Sequence, residues 1–364
     1  MSVENERLVY LDGLRGWASF AVLLYHSYVN SYPATDFARN ELWKLPLFNG
    51  TLAVMLFFVI SGFSLALPFM ATANRRTIVK LAAGRYVRLA IPILAACALV
   101  HIMLETGIIR APADRVPFDR FMAFDPTVPH LLAFSLWDTF FNFSFNTAYI
   151  APLWTMGVEL IGSFVVLAIQ FVTGRSAWRW IAYIVALQYF YGTGSYNALF
   201  VVGMALAEFR WLRETRSRWA GPILMVLALA MPLALDSGFW NVALTAILLF
   251  AGAIMTPWLR DGLSNRFSAF LGWISFPLYL LHSPVMYVIG VPLVIAAQGN
   301  PVMIMLAATV VLPFAVLAAI AFVPINELAI RVARGFGDRV ATLAYAAFGL
   351  MTRLVAPRQP KSIR

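Results

Sequence analysis

Cysteine, histidine and charge are all scarce in this sequence of 364 residues. Cys97 is the only cysteine, so the chain can form no internal disulfide and no metal site built from several thiolates. Charged residues make up 12% of the chain, about half of the share in a typical soluble domain. The four histidines lie far apart without metal-ligand spacing, so the sequence predicts no metal. They are His26, His101, His130 and His282.

Hydrophobic residues fill the chain instead. They account for 61% of the residues, and the mean hydropathy is +0.78, which excludes a disordered chain and an ordinary soluble domain. Several apolar runs approach the roughly 20 residues that a membrane-spanning helix needs. The predicted fold class is therefore all-α, a polytopic membrane protein with about ten transmembrane helices. The predicted spans are residues 14–31, 51–71, 87–106, 152–172, 178–191, 196–209, 220–235, 239–258, 272–296 and 301–323.

The basic residues predict how these spans are oriented. With the N-terminus inside and the sides alternating, the inner segments carry 22 Lys and Arg residues and the outer segments carry 5. This excess is the positive-inside pattern. It predicts cytoplasmic termini, and it explains the net charge of +10 without nucleic acid as a partner. A further span at the aromatic residues 130–145, which include Asp138, would break the pattern, so we expect that stretch to lie at the membrane interface or to re-enter the membrane without spanning it.

The chain divides into two predicted parts. Residues 1–325 form the ten-helix transmembrane domain, with an outer segment at about residues 106–151. Residues 326–364 form a basic cytoplasmic tail, whose apolar patch at residues 343–351 is too short to cross a bilayer. We expect this tail to form an amphipathic helix on the inner membrane surface, with its arginines near anionic lipid.

Ionisable groups inside a membrane are costly, which makes each of them a candidate for function. In the first predicted span, Arg15 and His26 are eleven residues apart, so they lie within about 20° on one helix face. Asp12 lies on the same side, and the helix rises about 16 Å from the arginine to the histidine. Gly13 and Gly16 leave room for another helix or a ligand. Alternatively, the histidine is bonded to a buried neighbour and the arginine only sets orientation.

Glu159 in the fourth predicted span lies about 10 Å deep, which is comparable with the depth of His26. A carboxylate at this depth needs a partner, and the imidazole is one candidate. The carboxylate could orient the imidazole, stabilise its protonated form or bind a substrate hydroxyl. A purely structural carboxylate is an equally open alternative.

Two further sets of polar residues each share a helix face. Arg85 and Arg88 are three residues apart at the entrance to the third span, where such a pair can bind phosphate or simply fix the topology. Ser275, Tyr279 and His282 form a polar stripe on the ninth span, at spacings of four and three residues. The stripe suits either a substrate contact or helix packing.

Five segments together resemble the motifs of acyltransferase family 3, the integral-membrane O-acyltransferases of bacteria. They are RLVYLDGLRGWASFAVLLYH, MLFFVISGF, RYVR, LWTMGVEL and SFPLYLLH, in this order along the chain. These segments contain the paired arginines, the first and last histidines, and the two residues Trp154 and Glu159. The resemblance extends over nearly the whole chain.

The resemblance implies a membrane enzyme that moves an acyl group, most often acetyl from acetyl-coenzyme A, to a hydroxyl of a saccharide or other acceptor. It implies the bacterial inner membrane, a catalytic role for His26, and donor binding by Arg85 and Arg88 on the cytosolic side. From the residues themselves we add Glu159 to the catalytic set and Arg15 to the donor site, with no metal. Substrate contact or structural support is expected of Asp12, Trp154, Ser275, Tyr279 and His282.

Alternatives remain open at this point. His26 can act as a general base or carry the acetyl group itself. The acceptor can be a small molecule or a lipid rather than a saccharide. A transporter of lipid-linked sugars would also suit ten spans with buried polar groups, although the motif pattern contains no inverted repeat.

Overall fold

The computed structural model describes residues 9–109, 124–214, 218–235 and 238–355. Within these residues all regular structure is helical, as the sequence predicts. The main helices coincide with the predicted apolar runs. They are α1 (Val9–Tyr25), α2 (Gly50–Thr72), α3 (Arg75–Glu105), α4 (Thr155–Thr173), α5 (Arg179–Gly192), α6 (Asn197–Glu208), α7 (Ala220–Ala234), α8 (Phe239–Met255), α9 (Arg266–Val285) and α10 (Pro301–Val355).

Five helices in the described part of the chain are long and apolar enough to cross a membrane, namely α2, α3, α4, α9 and α10. A sixth crossing forms if α8 is counted together with the short helix Pro257–Leu263, which meets it at 95°. The chain is therefore a multi-pass membrane protein. Ten crossings and cytoplasmic termini stay predictions, because α1 and α5 to α7 are each shorter than a full span.

Glycines allow α1 and α9 to touch along their backbones. A Cβ atom on Gly16 would collide with the backbone nitrogen of Gly272, and one on Gly272 would collide with the carbonyl oxygen of Asp12. Gly13 faces the carbonyl oxygen of Leu263 in the same way. The space that the sequence leaves at the two glycines of α1 is thus filled by another helix. The polar face of α1 consequently lies beside the polar stripe of α9.

The aromatic stretch at residues 130–145 forms short helical turns. Val128–Ala133 is an α-helix, Phe134–Asp138 is a π-helical turn, and Thr139–Phe141 adds one more turn. Each is too short to cross a membrane, which is compatible with the expected interfacial position. Residues 110–123 of the predicted outer segment lie outside the described residues.

Helix α10 continues without a break through the boundary predicted at residues 325/326. Its 55 residues correspond to about 80 Å of helix, which is more than twice the thickness of the hydrocarbon core of a bilayer. Hydropathy therefore marks the place where the helix leaves the apolar region, and not a structural boundary.

The second half of α10 packs along α3 instead of lying apart as a surface tail. Lys80 Nζ lies 2.7 Å from Asp338 Oδ1, and Arg76 donates a hydrogen bond to Thr342 Oγ1 at 2.8 Å. This part of the predicted tail belongs to the helical body and helps to build the site described below. Residues 356–364 of the predicted tail lie outside the described residues.

We expect Gly16→Ala to weaken the contact between α1 and α9 by about 1–3 kcal/mol, because the added methyl group has no space between two backbones. The melting temperature of the purified protein in detergent should fall. Gly335→Ala in α10 is the matched control, since no described atom lies near a Cβ at that position and alanine favours a helix by about 1 kcal/mol over glycine. Equal melting temperatures for Gly16→Ala and the unaltered protein would contradict this close approach.

Candidate active site

A large cavity lies between α1, α2, α3, α4, α9 and α10, with a volume of about 810 Å³. Its mouth is lined by exposed residues of α1 and α10, such as Val9 and Arg331, at the end of the bundle predicted to be cytosolic. Its far end is lined by Val54 near the start of α2 and by Thr155 at the start of α4. The cavity therefore runs from the basic end of the molecule deep into the helical bundle.

Arginines from three helices line this cavity. They are Arg15 of α1, Arg85 and Arg88 of α3, and Arg331 and Arg334 of α10. Three carboxylates lie among them on the described lining, those of Asp12, Glu159 and Glu327. Positive charge is thus in excess, which favours an anionic ligand.

Glu159 binds an arginine of the cavity rather than His26. Its Oε1 atom accepts hydrogen bonds from Arg85 Nη2 and from Ser61 Oγ, the latter at 2.9 Å. Arg85 also donates from Nε to Ser163 Oγ at 2.8 Å. The carboxylate that the sequence offered as a partner for the imidazole therefore holds a guanidinium group in place.

The other two predicted arginines differ in how far their charge is balanced. Arg15 Nη1 lies 3.3 Å from Asp12 Oδ1. The guanidinium carbon of Arg88 lies 5.2 Å from the ring centre of Phe276, and its buried Nη1 atom has no hydrogen-bond partner among the described residues. A buried guanidinium nitrogen without a partner is costly, so Arg88 is well prepared to bind an incoming anion.

Tyr279 stands between the cavity and a pair of histidines. Its ring lines the cavity, 6.2 Å from the ring of Phe57. Its hydroxyl lies 2.5 Å from the carbonyl oxygen of Pro152 and shares a 2.7 Å hydrogen bond with Thr155 Oγ1. These bonds fix the ring, whose centre lies 6.0 Å from that of His282.

His26 and His282 lie side by side behind Tyr279, with ring centres 5.0 Å apart. His26 Nδ1 lies 2.9 Å from the carbonyl oxygen of Val22, which can only accept a hydrogen bond. The Nδ1 atom therefore carries the hydrogen, and Nε2 of the neutral ring is left as an acceptor. His282 is bonded in the same way to Leu278, at 3.2 Å, and its buried Nε2 atom has no partner among the described residues.

The cavity ends close to the level of His26. Val54 at its far end is one helical turn, or about 5.4 Å, from Gly50, and Gly50 packs against the ring of Tyr25. Arg15 lines the cavity about three turns earlier on the helix that carries the histidine. A ligand with an anionic end at the arginines and a long uncharged arm can therefore extend towards the imidazoles.

Seven of the ten predicted site residues line the cavity. They are Asp12, Arg15, Arg85, Arg88, Glu159, Ser275 and Tyr279. His26 and His282 come together one side chain beyond it. Trp154 lies elsewhere and packs its ring 5.4 Å from that of Tyr196. Among the described residues, no group of three or more His, Cys, Asp or Glu side chains is placed to hold a metal ion.

Sequence reasoning missed the residues that α10 contributes to the cavity, such as Asn326, Arg331 and Arg334. It assigned them to a tail on the membrane surface. The signal that could have found them is RVAR at residues 331–334, which repeats the Arg-x-x-Arg spacing of RYVR. Two serines that bond to the ion pair of the cavity were missed as well, although Ser61 lies in the segment MLFFVISGF and Ser163 follows Glu159 by about one helical turn.

Comparison with known proteins identifies a family. Residues 8–323 match the family model described as an acyltransferase domain. No curated protein and no solved structure matches the chain. The match covers most of the sequence, including the motif segments that supply the histidine pair and the arginines of α1 and α3. The chain therefore belongs to acyltransferase family 3, a family of transferases.

Proposed function

We propose that the protein is an O-acetyltransferase of the bacterial inner membrane, which moves the acetyl group of acetyl-coenzyme A to a hydroxyl of a cell-surface or exported saccharide. The arginine-lined cavity is the observation that carries this proposal. A coenzyme A thioester bears several phosphate charges on an otherwise uncharged arm, and guanidinium groups suit phosphate. Family membership accounts for acyl transfer, and the cavity offers a place for a nucleotide thioester.

In this proposal the donor enters through the mouth of the cavity and places phosphate against Arg88 and Arg85. The Nη1 atom of Arg88 has no hydrogen-bond partner among the described residues and can donate to phosphate, whereas Glu159 holds Arg85 in a fixed orientation. The apolar wall near Phe57 suits the thioester arm. The acetyl group would then lie at the far end of the cavity, next to the tyrosine that covers the histidines.

His26 acts as the general base. Its Nε2 atom takes the proton of the acceptor hydroxyl while the hydroxyl oxygen attacks the thioester carbonyl. The carbon–sulfur bond then breaks, and the departing sulfur of coenzyme A receives the proton from the imidazolium. The hydrogen bond to Val22 supports this role because it leaves Nε2 as the acceptor. General-base catalysis contributes about 10²–10⁴-fold, so positioning of the two substrates must contribute much of the remainder.

A second route uses an acetylated histidine. Here His26 Nε2 attacks the thioester carbonyl and coenzyme A leaves as its thiolate. The acceptor oxygen then takes the acetyl group from the ring, and the hydroxyl proton passes through the freed Nε2 atom to the sulfur of coenzyme A. Incubation with radiolabelled acetyl-coenzyme A in the absence of acceptor separates the two routes. Label that stays on the protein, and that is lost in His26→Ala, supports the covalent route, whereas unlabelled protein supports direct transfer.

The acceptor would approach from the side opposite to the donor. His26 opens the π-helical turn His26–Asn30 that follows α1, and its side chain is partly exposed. Mass spectrometry of surface glycans from cells with and without the gene tests the saccharide acceptor. A mass difference of one acetyl group per repeat is expected, whereas unchanged glycans together with an acetylated lipid or small molecule would favour the alternative acceptors.

We expect His26→Ala to lower acceptor-dependent release of coenzyme A by at least about 100-fold, because the base that removes the hydroxyl proton is lost. Release is measured with a thiol reagent on purified protein in detergent. His130→Ala is the control, since the ring of this histidine stacks on Tyr149 and the residue is not part of the histidine pair. Full activity of His26→Ala would remove the residue from the mechanism, and no release by the unaltered protein would favour a transporter.

We expect Arg88→Gln to raise the KM for acetyl-coenzyme A about 10- to 100-fold with little change in kcat, because a charged hydrogen bond to phosphate contributes about 1.5–3 kcal/mol. Steady-state kinetics at a saturating concentration of acceptor measure KM and kcat separately. Arg266→Gln serves as the matched control, as this arginine is exposed at the same end of the molecule and does not line the cavity. An unchanged KM for Arg88→Gln would argue against phosphate binding there.

A further inference from the structure

A second Arg-x-x-Arg motif lines the cavity from α10, the helix that packs along α3. Arg331 and Arg334 lie on α10, beyond residue 323, where the family match ends. They have the same spacing as Arg85 and Arg88 on α3. Family membership therefore assigns no role to this second pair.

The packing of α3 against α10 brings the two motifs to the same level. A Cβ atom on Gly84 would collide with the carbonyl oxygen of Ala333, which lies between the two arginines of α10. Gly84 directly precedes Arg85 in the chain. The ion pair between Lys80 and Asp338 holds the same two helices together nearer their exposed ends. The two motifs consequently face one cavity from two helices.

Buried polar atoms without partners show that the space between these helices is prepared for a ligand. Asn326 of α10 lines the cavity, is only 6% exposed, and its Oδ1 atom has no hydrogen-bond partner among the described residues. The buried Nη1 atom of Arg88 on α3 also has no hydrogen-bond partner among the described residues. Two such atoms on two helices that line one cavity are costly unless a polar molecule bonds to them.

The balance of charge points to the same conclusion. The negative charge of Glu159 offsets the positive charge of Arg85, and the charge of Asp12 offsets that of Arg15. Neither arginine of the second motif forms an ion pair with a described residue. The remaining carboxylate of the cavity, that of Glu327, accepts a hydrogen bond from the indole of the α9 tryptophan at 3.3 Å. One carboxylate, that of Glu327, thus remains for three arginines without a described ion pair, namely Arg88 and the α10 pair, so positive charge stays in excess.

We infer that Arg331 and Arg334 bind phosphate groups at the nucleotide end of the coenzyme A donor, so that its phosphates are held between two Arg-x-x-Arg motifs. This inference rests on the proposed function. An arm without phosphates would leave both motifs without a phosphate partner. Discrimination of a nucleotide thioester from a shorter pantetheine thioester therefore depends on α10 as well as on α3. Anionic lipid headgroups carry the same phosphate chemistry, so the test must separate the two sources.

The test compares the unaltered protein with the double variant Arg331→Gln, Arg334→Gln in nanodiscs of neutral lipid. Isothermal titration measures binding of coenzyme A, of dephospho-coenzyme A and of pantetheine. We expect the double variant to bind coenzyme A at least about 10-fold more weakly, because charged hydrogen bonds to phosphate are lost. Pantetheine binding should not change. Arg339→Gln is the matched control, as this arginine of α10 does not line the cavity.

Three outcomes would count against the inference or its basis. Equal affinity of the double variant and the unaltered protein for coenzyme A overturns the inference and leaves the proposed function intact. An effect of the double variant that appears only in nanodiscs with anionic lipid, with coenzyme A affinity unchanged in neutral lipid, assigns the arginines to lipid headgroups and overturns it as well. If the unaltered protein fails to bind coenzyme A at all, the proposed function itself is contradicted.

Discussion

Guanidinium charge that the protein does not neutralise is the constraint on which the rest of this structure depends. Placing arginine inside a helical membrane protein is unfavourable unless carboxylates, water or a ligand surround it. Glu159 and Asp12 balance two of the five cavity arginines. Of the other three, Arg88 is partly buried, whereas Arg331 and Arg334 are exposed near Glu327 at the mouth of a cavity of about 810 Å³. An anion with several charges is therefore the ligand that best completes the cavity.

The structure also separates the arginines from the two histidines. The arginines occupy one end of the cavity, and the two histidines lie past its far end behind Tyr279. This separation matters because a nearby cation would disfavour proton uptake by the imidazole. Backbone carbonyl groups, rather than carboxylates, hold the Nδ1 atoms of both rings. Close packing of α1 against α9 at glycines keeps the two rings 5.0 Å apart.

The sequence predicts features that depend on a single helix and misses those that depend on which helices are neighbours. The helical period alone places Arg15 and His26 on one face, and apolar runs alone locate the main helices. The partner of Glu159 depends on the approach of α3 to α4, which no pattern within either helix encodes. The continuation of α10 was missed for another reason, since hydropathy falls where a helix leaves the membrane whether or not it ends there.

The extension of α10 changes what family membership can explain. The matched residues contain the histidine pair, Glu159 and the first arginine motif, to which the proposed function assigns acyl transfer. The second motif lies outside them, but close contact at Gly84 and the ion pair between Lys80 and Asp338 fix it against α3. In the proposed function, donor recognition by the arginines and the chemical step at His26 use different side chains. Substitutions in the two groups are therefore expected to differ in their effects on KM and on kcat.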